Sequence, residues 1–113
     1  MATLRTQTVT RAGLAPTFDA AAGGGDRFTP SKDTVLHIRN GGGAPITATV
    51  VTPKEAFPGA AIADIAIVVP AGGLLIAGPF AASDFRDPVD GLATLTYSSA
   101  TSVTVAVLEV AER

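Results

Sequence analysis

Residues 62–80 read IADIAIVVPAGGLLIAGPF, and this stretch limits the possible folds more than any other. An alternating apolar run meets Pro70-Ala71-Gly72-Gly73, a second apolar run follows, and Gly78-Pro79-Phe80 stops it. Side chains on a strand alternate between two faces, so an apolar run punctuated by Gly and Pro reads as strand, turn, strand. Strands are expected over 64–69 and 74–77, joined as a hairpin. Ile65, Ile67 and Val69 then face the core, and Ala66 and Val68 face the other way.

The same pattern recurs along the chain. Residues 34–40 (TVLHIRN) place Leu36 and Ile38 on one face and Val35, His37 and Arg39 on the other. Asn40-Gly41-Gly42-Gly43-Ala44-Pro45 is expected to turn the chain into a returning strand over 46–52, with Ile46, Ala48 and Val50 inward and Thr47 and Thr49 outward. Strands over 92–98 and 103–110 follow, with Ser99 to Ser102 as their hairpin turn and Val103, Val105 and Val107 on one face. Residues 17–22 are a short strand candidate. Residues 54–61 read as a loop or single helical turn, and 83–91 as a polar loop. No segment sustains the 3.6-residue apolar period of a helix. The expected fold is all-β, an antiparallel sandwich or jelly-roll-like domain of seven to nine short strands. Residues 1–16 form an N-terminal extended arm or edge strand, and 17–113 form the single sandwich domain.

The 113 residues suit one domain, and 47% of them are hydrophobic. A chain of this size buries about two-thirds of its unfolded surface, enough for a core without staples. Aromatics are 5% and Trp is absent, so Ala, Val, Ile and Leu must fill a thin core. The net charge is −2. Arg5, Arg11, Arg27, Arg39 and Arg86 are scattered, which argues against the clustered cations of a nucleic-acid surface. There is no Cys, so neither a disulfide framework nor Cys-ligated zinc is available. The first 16 residues lack the apolar core of a signal peptide, and Asp64 interrupts the most apolar segment, so neither a leader nor a membrane span is expected.

The candidate sites carry little chemistry. His37 is the only His, and it alternates with core residues on a strand, so it reads as a strand-face residue. Asp84, Asp87 and Asp90 precede Gly91 with a spacing unlike the EF-hand loop. They are a weak candidate calcium loop, and Asp side chains also stabilise turns. Ser83 lacks a nearby His base and no nucleophile elbow exists, so no catalytic residue is assigned. Gly23-Gly24-Gly25 and Gly41-Gly42-Gly43 lack the Lys-Ser/Thr ending of a phosphate loop. The expectation is no enzyme activity, no cofactor and no small-molecule substrate. Val51, Val68, Leu74, Ile76 and Leu108 fall opposite the core-facing sets. Either they are buried twice or they meet a partner, unless a bulge flips the register.

The order of short motifs adds to this reading. TVTRAGLAPT at 8–17, RNGGG at 39–43, TVVTP at 49–53, VPAGG at 69–73, GPF at 78–80, TYS at 96–98 and TSVTVAVL at 101–108 together resemble small virion proteins of tailed bacteriophages, especially those of actinobacterial hosts. The resemblance runs through nearly the whole chain. It implies a β-sandwich made in the host cytoplasm and placed in the virion, as a decoration or minor capsid protein on an HK97-type head. The implied partners are the major capsid protein and further copies of itself, as a homotrimer. Residues 1–16 are then expected to order on the shell or a neighbouring subunit. Leu4, Thr6, Thr8, Val9 and Arg11 are the candidate contacts, with Val68 on the sheet. A head–tail connector or tail ring protein is the alternative, and a surface- or carbohydrate-binding module is a further one. That last reading asks for exposed aromatics, and most of Phe18, Phe28, Phe57, Phe80, Phe85 and Tyr97 are expected to be buried.

Overall fold

Where the sequence alternates apolar and polar residues, the chain is extended. A computed structural model describes residues 2–53, 55–57, 59–61, 63–88 and 91–110. The strands are β1 (Ala2–Thr3), β2 (Thr6–Val9), β3 (Asp19–Ala20), β4 (Asp26–Phe28), β5 (Thr34–Asn40), β6 (Ile46–Val50), β7 (Glu55–Phe57), β8 (Ala60–Ala61), β9 (Ile65–Val69), β10 (Leu74–Ala77), β11 (Ala93–Tyr97) and β12 (Val103–Val110). A single helical turn, α1 (Ala82–Phe85), precedes β11. Ten strands form two five-stranded sheets: β1-β4-β11-β6-β9, and β10-β5-β12-β2 with β3 also beside β12. The remaining two, β7 and β8, form a small ladder of their own where the sequence suggested a loop or helical turn. The fold is the all-β sandwich that the alternation predicts.

The core lies between the sheets. Leu36 and Ile38 of β5, Ile46, Ala48 and Val50 of β6, Leu95 of β11, and Val103, Val105 and Val107 of β12 are buried, as the period of two requires. The molecule is only 20 Å across its shortest axis, which fits two sheets packed about 10 Å apart with small aliphatic side chains between them. Phe28 and Phe80 close one end, their ring centroids 6.0 Å apart and edge-on, with Phe85 5.3 Å beyond. Gly78 lets the chain pass β5 there. Its φ is +140°, and a Cβ would sit 2.9 Å from the Thr34 carbonyl oxygen.

The expected hairpins are not hairpins. β5 lies in one sheet and β6 in the other, and the same is true of β9 and β10 and of β11 and β12. Each of the three turns is an arch that carries the chain across the sandwich. The buried side chain of Asn40 explains why they share one end. Its Nδ2 donates to the Ala44 carbonyl at 2.8 Å and to the Val69 carbonyl at 3.2 Å, and its Oδ1 accepts from the Gly42 N–H at 3.0 Å. Its backbone N–H donates to the Gly73 carbonyl at 2.8 Å, and the Gly41 N–H donates to the Ser102 carbonyl at 2.8 Å. One residue therefore links the 40–45 arch to the 70–73 arch, and its neighbour links both to the 99–102 arch.

The N-terminal residues realise the edge-strand alternative over 2–9. β1 pairs in parallel with β4, the Leu4 N–H donates to the Arg27 carbonyl at 2.7 Å, and β2 pairs in parallel with β12 in the other sheet. The chain crosses between the sheets at Leu4 and Arg5. Leu4 is 6% exposed and belongs to the core, so it is corrected from a candidate contact to a structural residue. Its apolar side chain falls where the lateral side of the sandwich needs filling. Residues 10–17 remain exposed and return at Thr17, where the Gln7 side chain accepts from the Thr17 N–H and donates to its carbonyl, at 2.9 and 2.8 Å. Phe18 then lies over the outer face of the second sheet, with the Arg39 guanidinium 4.5 Å from its ring centre.

Of the two alternatives left open for Leu108 the structure shows burial: β12 sits centrally in its sheet, with Val35 and Gln7 flanking it. One further assignment changes. Ile65 has the inward register expected of it but is 42% exposed, since it starts an edge strand.

Asn40→Ala leaves buried carbonyls and an N–H without partners. It is expected to lower stability by about 2–4 kcal/mol, read as a shift of the urea midpoint at unchanged slope. Leu4→Ala is expected to cost about 2–3 kcal/mol in the same measurement, whereas Arg11→Ala should change it by less than about 0.5 kcal/mol. Equal, negligible effects of the two would contradict the placement of Leu4 in the core.

Candidate interaction surface

Among the described residues the titratable side chains are dispersed by the fold. His37 lies on the outer face of β5, 6.4 Å from the Phe18 ring, and burial lowers its pKa below the ordinary value. Asp84 is on α1 and Asp87 follows it, and both are half-buried. Asp90, the third member of the candidate calcium loop, lies outside the described residues. Among the described residues no group of three or more His, Cys, Asp or Glu side chains converges as a metal site. Ser83 sits beside Asp84 on α1, and His37 is on β5 in the second sheet.

Among the described residues, Asp26 is the fully buried carboxyl-bearing side chain, and it has a defined partner. It is fully buried at the start of β4, and its Oδ2 accepts from the Tyr97 hydroxyl at 2.7 Å and from the Ala22 N–H at 3.2 Å. Asp26 Oδ1 is buried without a hydrogen-bond partner. Burial, and then the hydrogen bond and charge of Asp26, hold the Tyr97 phenol well above its usual range. This pair ties the start of β4 to the end of β11 and sits inside the first sheet. It reads as a structural clamp.

Shallow cavities flank the sandwich among the described residues. One, of about 280 Å³, is lined by Arg5, Gln7, Thr17 and Asp19, where the 10–17 segment returns over the second sheet. Another, of about 310 Å³, is lined by Thr52, Ala63, Ile65, Asp84 and Phe85. There Asp64 Oδ1 accepts from the Thr52 N–H at 2.8 Å and anchors the approach to β9.

The candidate contact residues separate into distinct places. Thr6, Thr8 and Val9 form β2, with Thr8 exposed and the other two half-buried, and Arg11 is exposed on the following segment. Val68 is far from them, on the opposite lateral side, and is 60% exposed. It is joined there by Ile65, Leu74 and Ile76, the last 61% exposed. β9 and β10 are the edge strands of their respective sheets on this side, and neither carries an ionisable side chain. The sequence singled out Val68, Leu74 and Ile76 by face. It did not single out the edge, because edge position depends on pairing.

No protein-family model, curated protein or solved structure matches the chain.

The Tyr97–Asp26 pair predicts an alkaline limit to stability. The folded state raises the phenol pKa, so the pair's contribution is complete below the unfolded value of about 10 and declines as pH rises beyond it. Thermal midpoints measured from pH 8 to 12 should fall above about pH 10. Tyr97→Phe should lower the midpoint at pH 7, by about 1–3 kcal/mol in stability, and flatten the alkaline decline. An identical alkaline decline in both proteins would rule the pair out as its source.

Proposed function

We propose that this chain is a structural protein of a phage head, a decoration or minor capsid protein that binds the outside of the shell and strengthens contacts between capsomers. The observation that carries this reading is the uncharged lateral side formed by β9 and β10, where Val68 and Ile76 are each more than half exposed. Val68 points out from the first sheet and Leu74 and Ile76 from the second, so exposed apolar side chains border this side on both outer faces and favour adhesion to another protein surface. The motif order from residue 8 to residue 108 supplies the kind of partner, since it resembles virion proteins of tailed phages. In this reading the partners are the major capsid protein and further copies of the chain, with the homotrimer as the arrangement that the resemblance implies. The protein acts by contact alone, without catalytic residue or cofactor, after synthesis in the host cytoplasm.

The edge-strand pairing of residues 2–9 narrows the expected arm. Segment 10–17, with Arg11 and Leu14 exposed, is the part left to order on a shell or neighbour. Many identical weak contacts on one shell act together through effective concentration, so each copy needs only a modest surface.

The test is the position of the protein in purified particles of a phage that encodes it. Head fractions separated from tails should contain it, and density for it should lie on the outer shell in images of the particle. Its confinement to the tail or connector would overturn the head assignment in favour of the ring-protein alternative. Its absence from particles would overturn both. Replacing 11–15 with a Gly-Ser linker of equal length should reduce incorporation into heads while leaving the melting curve unchanged.

A further inference from the structure

The two lateral sides of the sandwich are finished differently. On one side the chain itself crosses between the sheets at Leu4, β1 is only two residues long, and the edge of β2 is flanked by the Arg5 and Asp19 charges. On the other side β9 and β10 end the two sheets, and among the described residues no strand pairs with their outer edges. Natural edge strands are commonly protected by charges, prolines or bulges, and β9 has none of these within its length.

The hydrogen-bond alternation of β6 identifies which groups β9 offers. The Val51 N–H donates to the Thr94 carbonyl and the Ser98 N–H donates to the Thr47 carbonyl, so 47, 49 and 51 direct their backbone groups to β11. Ile46, Ala48 and Val50 therefore direct theirs to their partners Val69, Ile67 and Ile65 on β9. It follows that the N–H and C=O of Ala66 and Val68 point to the outer edge.

We infer that β9 pairs, antiparallel, with β9 of a second copy across a two-fold axis centred on Ile67. This register sets Ala66 opposite the partner copy's Val68, and the reverse. It uses all four outward backbone groups of each strand and joins the two first sheets into one continuous sheet. Pro70 ends β9 with no N–H to donate, so the pairing cannot usefully slide in that direction. The side chains agree with the register. On the outer face Val68, the larger of the strand's two outward residues, lies beside the small Ala66 of the other copy. On the inner face Ile65, 42% exposed in the single chain, lies beside Val69 of the other copy. Charge supports a second copy as the occupant. A charged strand would bring ions against an uncharged edge with nothing to compensate them, and this chain's own β9 brings none. The pairing stands on edge geometry, does not depend on the head assignment, and is a two-fold arrangement that would take the place of the homotrimer implied by the resemblance.

The experiment uses the full chain. Sedimentation equilibrium over a concentration series should show reversible association to twice the 11.3 kDa monomer. Val68→Lys should weaken it by about tenfold or more, and Ala66→Pro, which removes one outward N–H, should do the same. The native chain has no Cys, so register is tested by oxidation. Ala66→Cys mixed with Val68→Cys should give a covalent pair, because facing hydrogen-bonded residues lie about 5.5 Å apart between Cα atoms, within disulfide reach. Val68→Cys alone should cross-link far more slowly. Melting curves confirm that each variant is folded, and if Val68→Lys fails to fold the cysteine pair still decides. A monomer at the highest concentration, an assembly of any size unmoved by both substitutions, or equally fast cross-linking by Val68→Cys alone would each overturn the inference.

Discussion

The sandwich depends at one end on a single buried amide. Asn40 is 1% exposed, and a polar side chain placed there must have every group answered from within the protein. The side-chain partners come from its own arch and the end of β9, and its backbone N–H reaches the arch that follows β9. Because one residue must reach all of them, β5 and β9 cannot slide relative to each other without leaving it unmatched. That requirement fixes the register between sheets in a core made mostly of Val, Leu and Ile. Such side chains pack against one another in many ways and specify little by themselves. At the far end Phe28 and Phe80 add shape, and between β4 and β11 the Tyr97–Asp26 pair adds a second polar lock.

The strands themselves were legible because period-two alternation is a local property. β5 begins and ends where TVLHIRN begins and ends, and the inward sets of β5, β6 and β12 follow the expected faces. Partners were not legible in the same way. RNGGGAP, VPAGG and YSSATS are turn sequences, and a Gly-rich turn permits the chain to reverse within a sheet or to step across to the other one. The choice is made by long-range terms: the Asn40 amide, and the space available beside β11 and β12. An Asn at the end of a strand, followed by glycines, reads locally as turn chemistry, so its role as a link between arches was hidden.

The contact residues show the same division. Val68, Leu74 and Ile76 were visible as apolar residues on the wrong face for the core, and they are exposed. Leu108 carried the same signal and is buried, because side chains of both neighbouring strands flank it, where an edge strand has a neighbour on one side only. Leu4 gave the opposite lesson. One Leu in a Thr-rich segment looks like part of an arm, yet it packs between the sheets while its neighbours pair on either side. In each case the residue type was informative and the strand's place in the sheet decided the outcome.

That dependence bears on why the chain shows so little recognisable chemistry. A catalytic site requires particular side chains at particular spacings, and these leave motifs. An adhesive strand edge requires backbone N–H and C=O groups, which every residue but proline supplies, together with side chains that do not obstruct a neighbour. Ala66 and Val68 meet those terms without forming a motif. The signature that remains is an omission: charge and proline are absent within a strand that ends a sheet, where folds usually place them. The opposite side of the same molecule carries the usual protections, with a two-residue edge, a chain crossing and the Arg5 and Asp19 charges. A fold that needed to stay single would gain from treating both sides alike. The proposed self-pairing rests on that difference, and the difference lies in the pairing of the strands.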